Sequence, residues 1–375
     1  MTDLGKRIEV IDGFFADNNL KTVSVPILQP AEPFLDMAGE DLRRRIFMTE
    51  NENGDSLCLR PEFTIPVCIE HIATGATTPR RYAYIGEVFR QSSSGENGFF
   101  QAGIEDLGNS DEAWADAHSF QNALALLNHI APDKNDCIVM GDQTVFASVL
   151  AELGLVAAWQ KRLLRSFGNA KQLRSLLHIL TEQNNEQHLP EKLMKLVQAQ
   201  DETALIAYLE EEMLNAGISP SAGRSPMEIA RRLLEKQLLS SVRLTAPKLE
   251  ALEEFLSICV SLQQAENVLV DFGKKYKLAY DHFLLPFRAR NQAFSDLGID
   301  LGNVQYDAAF GRPFDYYTGF VFEVRREGNL IIGGGRYNRL MTMLGAKRPI
   351  PAVGFSIWLN RLDKDGRANA KGKDK

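Results

Sequence analysis

Apolar positions open the chain at helical spacing: Leu4, Ile8, Ile11 and Phe15 fall three or four residues apart, and Asn18-Asn19 follows as a stop. The pattern predicts an amphipathic helix over residues 3–18. Val23-Ser24-Val25-Pro26-Ile27-Leu28 reads instead as a short strand. Its proline donates no ladder hydrogen bond, so the strand belongs at a sheet edge or a strand end, a candidate surface for self-association. Ser56 to Arg60 is a further short strand. Pro61 sits where a helix begins without losing a useful donor, and Ile65, Ile69 and Ile72 continue as a stripe. Glu62 therefore falls at a strand-to-helix junction.

Arg81 to Arg90 and Phe99 to Leu107 are strand-like and flank the turn-rich run Ser92-Ser93-Ser94-Gly95-Glu96-Asn97-Gly98, which predicts an antiparallel hairpin. Asn109, Asp111 and Glu112 suit the first turn of a helix continued by Trp114, Ala117, Gln121, Leu124 and Leu127. Cys137 to Met140 is another short strand. From residue 156 to 245 strand signals give way to helical segments rich in Leu, Lys, Glu and Gln, broken at His188-Leu189-Pro190 and Gly217-Ile218-Ser219-Pro220. That block reads as a helical insertion. Strand patterns return at Leu301 to Phe310, Tyr316 to Val324 and Leu330 to Ile332, then Gly333-Gly334-Gly335, a helix to Gly345, and a last helix from Pro351 to Leu362. Hairpins on both sides of a helical block imply an α+β fold whose mainly antiparallel sheet is assembled from both ends of the chain.

The 375 residues are 45% hydrophobic and 24% charged, enough apolar material for two or so domains. No apolar run approaches the roughly 18 residues of a membrane span, and Met1 to Arg7 lacks the apolar core of a signal peptide, so the cytoplasm is the expected location. Cys58, Cys68, Cys137 and Cys259 form no CxxC pair, and the six histidines include no HExxH; no metal and no cofactor are expected. A net charge of −7 argues against nucleic acid, whose affinity comes largely from cations displacing counterions. The basic run Arg367 to Lys375 reads as part of a disordered tail over residues 364–375.

Candidate chemistry is concentrated in three places. Period-two geometry puts Gln101, Gly103 and Glu105 on one strand face, either around a space left by the glycine or on a half-solvated sheet. In Phe314-Asp315-Tyr316-Tyr317-Thr318-Gly319, adjacent tyrosines on a strand point to opposite faces, so one reaches a site while the other packs, unless both are core. Arg312 upstream is an anion partner or a surface charge. The run Ile331-Ile332-Gly333-Gly334-Gly335-Arg336-Tyr337 either lets a backbone approach a ligand or marks a tight turn. It matches neither GxxxxGK[ST] nor GxGxxG, which argues against a P-loop or Rossmann nucleotide site.

Taken in order, these segments resemble the class II aminoacyl-tRNA synthetase core, specifically the histidyl-tRNA synthetase family, from about residue 6 to Asp363. Val25-Pro26-Ile27-Leu28-Gln29-Pro30 is similar to motif 1, Gly86-Glu87-Val88-Phe89-Arg90 with Gln101 to Glu105 to motif 2, and Pro351 to Leu362 to motif 3. Leu59-Arg60-Pro61-Glu62 with Thr64, and Asp315-Tyr316-Tyr317, resemble the two histidine signatures. The resemblance implies a seven-stranded sheet flanked by helices, a homodimer through motif 1, and a histidine pocket of Glu62, Thr64, Gln101, Glu105, Arg312, Tyr316 and Tyr317. Such a pocket suits the ligand: Glu62, Gln101 and Thr64 accept from the α-ammonium, while Glu105 and a tyrosine hydroxyl meet the imidazole nitrogens.

Departures from that family carry equal weight. Arg90 and Arg361 remain of its nucleotide site. The motif 2 loop, however, reads Gln91-Ser92-Ser93-Ser94 without its acid, Asn360 stands where the family has glutamate, and Phe63 stands where it has glycine. Only 12 residues follow Asp363, fewer than the ~50 that a domain requires, so no anticodon-binding domain is expected after the core of residues 1–363. A chain of this kind resembles the regulatory subunit family of ATP phosphoribosyltransferase. That resemblance implies no catalysis of its own, a short-form catalytic subunit as partner in a hetero-oligomer, and feedback by L-histidine on the first step of histidine biosynthesis. Two rivals stay open: a histidine-activating ligase with a non-tRNA acceptor, and a stand-alone histidine sensor.

Overall fold

The computed structural model describes residues 3–362 except 38–39, 93–94, 96, 134, 182–189, 217–224, 242–243, 313 and 315. The tail expected over residues 364–375 lies outside the described residues. Among those described, strands are β1 (Lys21–Thr22), β2 (Leu28–Pro30), β3 (Met48–Glu50), β4 (Ser56–Leu59), β5 (Arg80–Phe89), β6 (Gly98–Leu107), β7 (Cys137–Asp142), β8 (Cys259–Ser261), β9 (Val304–Asp307), β10 (Phe320–Arg326), β11 (Asn329–Arg336) and β12 (Ala352–Trp358). Nine of them form one sheet in the order β1-β5-β6-β12-β11-β10-β7-β9-β8, and a small sheet runs β2-β4-β3. All pairs in the large sheet are antiparallel except β1 with β5 and β7 with β9. The two outermost strands, of two and three residues, account for the difference from the expected seven.

One face of this sheet is apolar and covered by helices. Phe120 on helix Glu112–Ile130 meets Phe294 on helix Leu285–Asp296 at 5.3 Å and Phe322 of β10 at 4.8 Å, ring centroid to centroid. Two buried arginines on that side are paired with carboxylates, which offsets their desolvation. Arg336 of β11 donates to Asp116 at 2.6 Å, and Arg290 donates to Asp142 at 2.5 Å. The sheet and its helices belong to a compact unit made of residues 1–148 and 255–375. Residues 149–254 form a second, helical unit. Within it Leu173, Leu176, Leu177 and Leu180 bury one stripe of helix Ala170–Thr181, and Leu193, Val197, Leu205 and Ala230 make a small core. Among the described residues no helix is long and apolar enough to cross a membrane.

Several elements differ from their sequence-based expectations for identifiable reasons. The strand expected over Val23 to Leu28 falls in the irregular segment between β1 and β2, with only Leu28 in a strand. At Val25 the carbonyl accepts from the Arg60 guanidinium at 2.5 Å instead of from a neighbouring strand, and Pro26 has no donor to offer. Helix Thr64–Thr74 starts three residues after Pro61, leaving Glu62 ahead of its first turn. Leu301 to Phe310 contains a 3-10 turn, Leu301–Asn303, before the short β9. Tyr316 and Tyr317 precede β10 in a loop. The glycines 333–335 are not a turn but lie within β11. Most instructive is Pro351 to Leu362, expected helical and found as β12 followed by the 3-10 turn Leu359–Arg361. β12 sits between β6 and β11 with ladder partners on both sides, and its β-branched Val353 and Ile357 suit a strand.

Candidate functional site

The face of the sheet opposite the phenylalanines has been hollowed out. Ladder register places Gly86 beside Gln101, Gly103 beside Tyr84 and Ser356, Gly354 beside Glu105 and Gly335, and Gly333 beside Ser356 and Glu323. Side chains alternate along a strand, so all of these residues share one face. Missing β-carbons provide the room. A Cβ at Gly354 would lie 1.7 Å from Glu105 Oε2, one at Gly333 1.7 Å from Arg312 Nη1, and one at Gly103 2.3 Å from the Tyr84 hydroxyl. The result is a cleft on this face, lined among others by Glu62, Gln101, Gly333, Gly354 and Ser356.

The strand-to-helix junction after β4 supplies one wall. Glu62 accepts from the amides of Thr64 at 2.7 Å and Ile65 at 2.9 Å, binding the first turn of helix Thr64–Thr74 as a carboxylate at a helix N-terminus does. Burial raises its pKa, opposed by those two amides and by Arg90. Thr64 turns its hydroxyl away to donate to Glu105 at 2.8 Å, and Tyr337 donates to the other Glu105 oxygen. Burial pushes the Glu105 carboxyl up to about 8 against the lowering effect of both hydroxyls. Arg90 donates to the Pro61 carbonyl at 2.8 Å, and desolvation lowers its pKa to about 10.

The opposite wall comes from the loop before β10. Arg312 lies over Gly333 and faces Glu323 at 3.6 Å, yet its Nε and Nη1 find no hydrogen-bond partner among the described residues. Tyr316 and Tyr317 both line the cleft, their ring centroids 4.9 Å apart. The expectation of opposite faces fails because these residues are in a loop, where strand alternation does not apply. In the cleft, Gln101 Oε1 and the indole nitrogen of Trp358 are also buried without a hydrogen-bond partner among the described residues. Glu62, Thr64, Gln101, Arg312, Tyr316 and Tyr317 line a common cleft together with Arg90, expected in the nucleotide site, while Glu105 is not part of the lining and has both oxygens engaged. Arg361 stands apart from the lining, donating to the Leu330 carbonyl at 2.9 Å.

Sequence reasoning missed Tyr84, Tyr337, Ser356 and Trp358. Tyr337 follows Gly333 and Gly335 at strand spacing, and Gly354, Ser356 and Trp358 repeat at period two. Reading the glycines as a turn and β12 as a helix concealed both series. Among the described residues no group of three or more His, Cys, Asp or Glu is arranged to hold a metal ion.

This architecture defines a class. A sequence model described as histidyl-tRNA synthetase matches residues 10–219 and 236–362. The fold is shared with a crystal structure titled as an ATP phosphoribosyltransferase regulatory subunit/histidyl-tRNA synthetase from Bacillus halodurans, with TM-score 0.61, 18% identity, 96% of this chain and 78% of that one. A histidine–tRNA ligase subunit from Alicyclobacillus acidocaldarius matches with TM-score 0.57 and 22% identity over 96% of this chain and 92% of its own. The chain has the class II synthetase-like fold. Sequence places it more finely: ATP phosphoribosyltransferase regulatory subunits of Brucella anthropi and Brucella ovis are each 56% identical over 344 residues, 91% of this chain and 92% of theirs. The chain belongs to the family of ATP phosphoribosyltransferase regulatory subunits.

Proposed function

We propose that this chain is a non-catalytic, cytoplasmic subunit that binds free L-histidine and thereby regulates the short-form catalytic subunit of ATP phosphoribosyltransferase, the first enzyme of histidine biosynthesis. The observation that carries the histidine reading is the set of opposed, unsatisfied groups in one cleft. Among the described residues Gln101 Oε1 has no hydrogen-bond donor, and Arg312 Nε and Nη1 have no hydrogen-bond acceptor. An α-amino acid brings an ammonium for the first and a carboxylate for the second. Glu62 adds anionic lone pairs beside the ammonium, and the hydroxyls of Tyr316 and Tyr317 serve ring nitrogens. Glu105 acts from behind, fixing Thr64 and Tyr337. A cleft built of hydrogen-bonding groups rejects apolar analogues by leaving those groups unpaired.

Regulation then follows by linkage. Histidine shifts the hetero-oligomer only if it binds the inhibited arrangement more tightly than the active one, and the catalytic subunit's state must in turn alter histidine affinity by the same factor. Ile27 and Leu28, at the start of β2, one of the two edge strands of the small sheet, are about half exposed. That apolar edge supports a homodimer through the same segment. The deciding experiment mixes purified chain with the short catalytic subunit and titrates histidine. Activation on mixing and inhibition by histidine are expected. Full activity of the catalytic subunit alone, or inhibition that does not need this chain, rejects the proposal. Histidine-dependent exchange of pyrophosphate into ATP would favour the ligase reading, to which Arg90 in the cleft wall lends its one support.

A further inference from the structure

We propose that Trp358 determines specificity in this cleft: its indole N–H, acting with Arg312, selects ligands that carry an α-carboxylate. This assignment rests on the histidine-binding reading and adds a residue and a chemical rule to it. Trp358 ends β12 on the hollowed face, directly opposite Gln101 in the ladder. It is 3% exposed and lines the cleft, and its indole nitrogen has no hydrogen-bond partner among the described residues. Buried indole N–H groups ordinarily find an acceptor.

The neighbouring group with the same deficit is Arg312, whose guanidinium lies 5.8 Å from the indole ring centroid. Both are donors, so neither satisfies the other. Gln101 Oε1 is an acceptor on the facing strand position, yet it too is unpartnered. One ligand group answers both donors: a carboxylate, with two oxygens and a charge. Arg312 alone supplies the charge but has Glu323 to share it with. The indole N–H carries no such competitor, so it adds discrimination that depends on the carboxylate being there.

Calorimetry with histidine and with histamine, which lacks the carboxylate, on the wild-type chain and on Trp358→Phe tests this. Phenylalanine keeps an aromatic ring at the position and removes only the donor and part of the bulk. The wild type should prefer histidine. In the variant, histidine affinity should fall about ten- to hundredfold, the worth of a hydrogen bond to a charged group, while histamine affinity stays within about twofold. An unchanged histidine-to-histamine ratio overturns the assignment. Should the variant not fold, indole 15N-labelled wild type gives the same answer. One of its three tryptophan N–H signals should move downfield with histidine and not with histamine. Three unmoved signals under saturating histidine refute the role of Trp358 alone. Absence of any histidine binding to the wild type removes the underlying reading as well.

Discussion

Replacing Gly333 with alanine should disable the cleft and leave the fold standing. Gly333 lies in mid-strand in β11, in a backbone conformation open to any residue, so the added methyl brings no backbone strain. Its β-carbon would lie 1.7 Å from Arg312 Nη1, 2.2 Å from Cζ and 2.4 Å from Nη2, whereas ordinary contact begins at 3.4 Å. The guanidinium must therefore retreat by about 1.7 Å, the difference between 3.4 and 1.7. Arginine is flexible at its far end, so the strand does not have to yield. A shift of that size breaks a hydrogen bond to a ligand carboxylate, worth about 1.5–3 kcal/mol when charge-assisted, or roughly 10- to 150-fold in affinity. Stability should change by no more than the ~1–3 kcal/mol of overpacking. Titration calorimetry with histidine, paired with thermal unfolding, reads both quantities. A folded Gly333→Ala chain that binds histidine within about twofold of wild type would refute the claim that this glycine exists to seat Arg312.

Three other substitutions probe separate parts of the argument. Glu105→Gln should flatten the dependence of stability on pH. Folded Glu105 keeps its proton up to about pH 8, whereas an ordinary glutamate releases it near 4.5, so the wild type loses stability as pH rises between those values. Asp116, raised to about 6 by burial, leaves a residual slope at the acidic end, and equal slopes in denaturant titrations of both proteins would contradict the assignment. Arg336→Ala strips Asp116 of its near partner and leaves Arg290, at 4.0 Å, as its cationic partner among the described residues; unfolding measurements should show a loss of about 3–5 kcal/mol, and a loss under about 1 would mean the pair is not the anchor described. Gly13→Ala, on helix Asp3–Asp17 with nothing within 4 Å of the new methyl, should stabilise the chain by about 0.5–1 kcal/mol without touching histidine affinity, and destabilisation would expose an unrecognised contact.

What the sequence determined by itself was local or depended on strict order. Alternation in residues 101–105, the turn-rich loop before Gly98 and the stripe at Ile65, Ile69 and Ile72 were readable because they report on neighbours close along the chain. The pocket residues Glu62, Thr64, Gln101, Arg312, Tyr316 and Tyr317 were legible through their resemblance to a known family, since each alone has an equally good bland explanation. Only tertiary structure decided the rest. β12 became a strand because β6 and β11 hold it on both edges, a long-range pairing that outweighs a helical reading of Pro351 to Leu362. Gly333 and Gly354 became the means of making a cavity because Arg312 and Glu105, distant in sequence or on another strand, occupy the volume their side chains would have filled. No local pattern contains that information: which glycine is a turn and which is a hole depends on what the fold brings to stand above it.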